Sequence, residues 1–237
     1  MNFLVKRIPL IIPLFIFVVF AALFIFPNVY FLIIALFASV IISTILLILL
    51  VKEKLKDYWP TVVQLIILIF TSSLFTLLIS NPILYHLYLL AIAIFDWYVL
   101  STLFRFLYQP RLYQPYSLEK ASSWLIFISL FCLTAELSAF YVFKNISLWL
   151  TLLPFLAANL WLLFYFCRTN KINPPKPWLK FFVLGLVSTE LYFGLNFLPI
   201  NFHLNGLILS ILNIIILQLW LKTQKLKLPI NQNDSLT

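Results

Sequence analysis

The chain has 237 residues, 64% of them hydrophobic and only 10% charged, with a formal net charge of +9 and a mean hydropathy of +1.07. A soluble domain needs several times that charged surface to stay dispersed, so a chain this apolar belongs in a bilayer. The positive charge is no sign of nucleic-acid binding, because the basic residues are scattered through short segments between long uncharged runs.

A spanning helix takes roughly 20 apolar residues. No charge falls between Arg7 and Lys52, which leaves room for two spans, and Pro27-Asn28 divides them into 8–26 and 29–51. After the break from Lys52 to Pro60 comes 61–80, stopped by Asn81-Pro82 and followed by 83–107. The Pro-containing stretch from Tyr108 to Ala121 leads to 122–143, and Lys144 to Ser147 separates this from 148–167. Arg168 to Leu179 and Pro199 to His203 bound the last two segments, 180–198 and 204–221. The expected fold is all-α: a polytopic bundle of about eight transmembrane helices forming a single domain over 1–228, with a disordered cytoplasmic tail at 229–237.

Basic residues orient the bundle. With a cytoplasmic N-terminus, Lys144 alone of the 16 Lys and Arg residues falls on the outer side, which is the bias that positive-inside topology requires. Both termini are therefore expected in the cytoplasm of a cell carrying this protein in its cell membrane. No small-residue cleavage site follows the first segment, which reads as a retained anchor. Tyr58, Trp59, Trp124, Trp178 and Trp220 flank the basic residues, as in an interfacial belt. The expected partners are anionic lipid headgroups at the cytoplasmic face, and other membrane proteins or further copies of the chain.

Only three acids, Asp96, Glu136 and Glu190, lie inside the apolar runs. Carboxylates at membrane depth are costly and mark functional positions by default. Asn159, Asn213 and Ser72 occupy similar depths and complete a candidate intramembrane polar site. Ser129, Cys132, Glu136 and Ala139 share one helix face, and so do Gly206, Ser210 and Asn213; such small and polar faces suit close helix packing. A shift of 54 residues superposes Glu136 on Glu190, Asn159 on Asn213 and Arg168 on Lys222, which suggests a parallel repeat of helical hairpins.

No catalytic motif, phosphate-cradling glycine loop or Cys/His ligand spacing occurs, and neither cofactor nor metal is expected. His86 and His203 fall near the outer surface, one in a first helical turn and one in the last loop. Cys132 and Cys167 read as buried thiols at different depths. The sequon Asn145-Ile146-Ser147 hugs the membrane in a tiny loop. Loops this short hold no soluble module, so an enzyme is disfavoured. The expected role is a non-catalytic membrane subunit or scaffold. The alternative is a small proton- or cation-coupled carrier that uses the midplane carboxylates.

Overall fold

The computed structural model describes residues 3–25, 28–52, 55–169, 177–198 and 200–226; the tail at 229–237 lies outside them. Among these residues there are eight α-helices and no strand: α1 (Phe3–Ile25), α2 (Val29–Val51), α3 (Leu55–Phe75), α4 (Pro82–Tyr108), α5 (Ser117–Lys144), α6 (Leu148–Thr169), α7 (Pro177–Asn196) and α8 (Phe202–Leu226). Seven are long and apolar enough to cross a membrane; in α7 the described apolar stretch, Phe182–Asn196, is shorter.

Punctuation residues act as their chemistry dictates. The Asn28 side chain accepts from Tyr30 N at 2.9 Å, and that of Asn81 accepts from Ile83 N and Leu84 N with Pro82 opening the helix. Asn145 ends α5 at φ 50°, a left-handed conformation that asparagine tolerates well. Several boundaries differ from the expected 8–26, 61–80, 122–143 and 204–221: α1 starts earlier, α3 starts and stops earlier, α5 starts earlier and α8 runs on further. α3 begins at Leu55 and takes in Pro60, which has no amide hydrogen to offer the Lys56 carbonyl. α5 begins at Ser117, because Glu119 is favourable in a first turn even though its charge marked the stretch as loop. His203 likewise sits in the first turn of α8 and not in a loop.

α5 is the axis of the bundle. It packs most extensively against α8 and then α3, and it also meets α6 and α4. Its small residues permit this: Ala121, Ser122, Ser129, Cys132, Ala135, Ser138 and Ala139 are all buried. At Gly206 of α8 the backbones come so close that an added Cβ would stand 2.8 Å from the Phe131 carbonyl oxygen and 3.2 Å from the Ala135 Cβ. One apolar core joins α1 to α4 with the start of α5; a second joins α5 to α8.

α4 ties down the N-terminal helices through three tyrosines. Tyr85 OH donates to the Phe20 carbonyl of α1 at 2.7 Å, Tyr108 OH to the Leu50 carbonyl of α2 at 2.7 Å, and Tyr88 OH to the Ser72 carbonyl of α3 at 3.1 Å. Leu50 and Ser72 lie in the last turn of their helices, where carbonyls run short of intrahelical partners, whereas Phe20 lies further in.

Candidate functional site

The residues of the expected polar site divide into three groups, with Asn159 outside all of them. α3, α4 and α5 each contribute one buried member, Ser72, Asp96 and Glu136 respectively. Tyr88 of α4 is the residue whose surroundings touch on all three. Its hydroxyl bonds the Ser72 carbonyl, lies 3.4 Å from Cys132 Sγ, and is within electrostatic reach of both Glu136 and Asp96. Further along the α3–α5 seam, Gln64 Nε2 donates to Ser129 Oγ at 3.0 Å while its Oε1 has no partner.

The acids of this group use little of their hydrogen-bonding capacity. Among the described residues neither carboxyl oxygen of Asp96, nor Oε1 of Glu136, has a hydrogen-bond partner, although Asp96 is only 1% exposed and Glu136 4%. Buried polar atoms are rarely left in this state, and those that are call for an explanation.

The second group lies on α7 and α8, where Ser188 Oγ donates to Asn213 Oδ1 across a buried contact. Asn213 Nδ2 donates back to the Leu209 carbonyl at 3.1 Å, so this asparagine is fully engaged in packing. Asn159, on α6, stands apart: it is buried, and its Nδ2 is unpartnered.

Glu190 forms the third group alone. It is exposed, on the side of α7 away from the rest of the bundle. The 54-residue register thus pairs two buried asparagines but sets a buried Glu136 against an exposed Glu190. The cause is position in the bundle. α5 is enclosed on several sides, whereas α7 meets chiefly α6 and α8.

Sequence reasoning had placed Ser129, Cys132, Glu136 and Ala139 on one face, and all four are buried. It missed Gln64 and Tyr88. The first was detectable as the lone long amide in the run 61–80. The second was lost among 11 tyrosines.

Neither histidine joins the acids. His86 Nδ1 sits 2.8 Å from the Pro82 carbonyl, and the His203 ring packs on Phe75 at 5.5 Å. No three of the described His, Cys, Asp and Glu residues are grouped to hold a metal ion. Cys132 and Cys167 are both free and buried.

Fold and site together define an all-helical bundle of membrane-spanning character with an internal polar layer between α3, α4 and α5. The chain matches no family model, no curated protein and no solved structure.

Proposed function

We propose that the chain is a non-catalytic subunit of a cell-membrane assembly, crossing the bilayer eight times with both termini in the cytoplasm. The observation that carries this reading is the exposure of Glu190. Val183, Val187, Glu190 and Gly194 recur at helical spacing along α7, and all are exposed. A charged residue at the centre of a spanning helix costs about 2.5–3.5 kcal/mol to insert. A chain that places one outward has reason to cover it.

Gly194 adds room. Nothing lies within 4 Å of where its Cβ would be, so a second helix backbone can approach there. The occupant is a transmembrane helix of another protein carrying Arg, Lys, Asn or Gln at matching depth. A second copy would bring a like charge against Glu190, which disfavours self-association on this face. A photoreactive residue at Leu186 should give an adduct in native membranes, and Glu190→Leu should reduce it at least tenfold. The isolated Glu190→Leu chain should keep its thermal stability, because the replaced side chain touches little of its own bundle. Undiminished crosslinking, or a destabilised isolated chain, would overturn the reading.

The orientation rests on the distribution of basic residues. Reporter fusions at Thr237 and within the α5–α6 connection at Asn145 should report opposite compartments; a shared compartment would sink the topology.

One observation favours a second reading, a proton- or cation-coupled carrier. Asp96 and Glu136 lie on facing helices, yet their oxygens leave hydrogen-bonding capacity unused. Residues serving only as interhelical glue would use it, as Asn213 does.

A further inference from the structure

A second polar site lies at the other level of the bundle, where the first turns of α3 and α5 meet the last turns of α4 and α6. A cavity of about 150 Å³ opens there, lined by residues that include Tyr58, Thr61, Phe106, Glu119, Tyr165 and Arg168. An ordered water needs only about 10–15 Å³ of such space, so the cavity accommodates a group of several heavy atoms.

Its walls are chemically lopsided. Tyr165 is 1% exposed, and its buried hydroxyl lies at the cavity wall beside the Thr61 and Thr169 side chains. Glu119 is half-buried, and its Oε2 is shielded from solvent with no hydrogen-bond partner among the described residues. Arg168 reaches the same cavity from the exposed end of α6. The site thus holds an anionic acceptor, a planar cationic fork and a neutral hydroxyl. The Tyr58 and Phe106 rings pack edge to face at 5.5 Å beside them and supply an apolar wall.

We propose that this cavity binds a zwitterionic phosphoethanolamine group, with Arg168 on the phosphate and Glu119 on the primary ammonium. The guanidinium fork matches phosphate oxygens in a bidentate manner. A primary ammonium has three donors, enough to satisfy Glu119 Oε2 together with the Tyr165 oxygen. A trimethylated ammonium has none, and a glycerol headgroup carries no cation, so both should be rejected. The location, at helix ends and outside the carboxylate layer, suits a phospholipid headgroup. The same chemistry could also come from a soluble phosphoethanolamine ester.

The purified full chain can be titrated calorimetrically with dihexanoyl phosphatidylethanolamine, phosphatidylcholine and phosphatidylglycerol below their micellar concentrations, and with glycerophosphoethanolamine. Saturable binding of the ethanolamine lipid, at least tenfold tighter than the choline and glycerol lipids, is expected. Glu119→Gln and Arg168→Gln should each weaken it tenfold or more. Tyr165→Phe, which keeps the buried ring, should weaken it severalfold without lowering thermal stability. Comparable binding of glycerophosphoethanolamine would identify a soluble ligand, and its failure a lipid. Equal affinity for phosphatidylglycerol, or binding indifferent to all three substitutions, would overturn the proposal, as would the absence of binding.

Discussion

Gly206→Ala should destabilise the bundle by about 1–3 kcal/mol, in the range for forcing an extra carbon into a packed interior. The added Cβ would stand 2.8 Å from the Phe131 carbonyl oxygen and 3.3 Å from the Ala135 amide nitrogen, both parts of the α5 backbone. A side chain could swing aside; a helix backbone cannot, so α5 and α8 must separate along the most extensive helix contact in the molecule. At roughly 2–4 °C per kcal/mol for a chain of this size, the melting temperature in detergent should fall by several degrees. Gly206→Leu should prevent recovery of a monodisperse protein. Gly194→Ala is the control: with open space at that position, it should be neutral or slightly stabilising, since alanine is the better helix former. Equal melting temperatures for Gly206→Ala and Gly194→Ala would contradict the close approach.

Asp96→Val should act in the opposite direction and raise stability by about 1–3 kcal/mol, the usual cost of leaving a buried polar group unsatisfied. Both carboxyl oxygens of Asp96 are buried without a hydrogen-bond partner, so the substitution gives up no bond among the described residues. Replacing such groups with apolar ones is often neutral or stabilising. The same variant separates the two functional readings. In the carrier reading, proton or cation flux into proteoliposomes should vanish as the melting temperature rises. In the subunit reading, the wild type shows no flux, and partner crosslinking through α7 is unchanged. A drop in melting temperature for Asp96→Val would show that the carboxyl is a structural member of the α3–α4–α5 layer.

The helices were legible because hydrophobic runs and their interruptions are one-dimensional signals. Asn28, Asn81-Pro82 and Asn145 mark local backbone events, and the helices start or stop where those residues stand. The polar site was legible only in part, since depth along a helix can be counted but direction around it depends on what lies alongside. Asp96, Glu136 and Glu190 look alike in the sequence. α5 turned out to be surrounded and α7 peripheral, and this alone separates a buried Glu136 from an exposed Glu190. Composition hid Tyr88 for a related reason: in a chain with 18% aromatic residues, one hydroxyl has no signature until its neighbours are known. The cavity near Arg168 draws on the ends of four helices, and its members are spread from Tyr58 to Thr169 in sequence.

The three tyrosines of α4 acquire a temporal meaning from the order in which a chain is made. Translation delivers α1, α2 and α3 before any of Tyr85, Tyr88 and Tyr108 has been polymerised. Until then the carbonyls of Phe20, Leu50 and Ser72 lack the hydroxyls that bond them in the finished bundle. Hydrocarbon offers a bare carbonyl no substitute donor. Three of the contacts that fix the amino-terminal half therefore form only once the fourth span has been made.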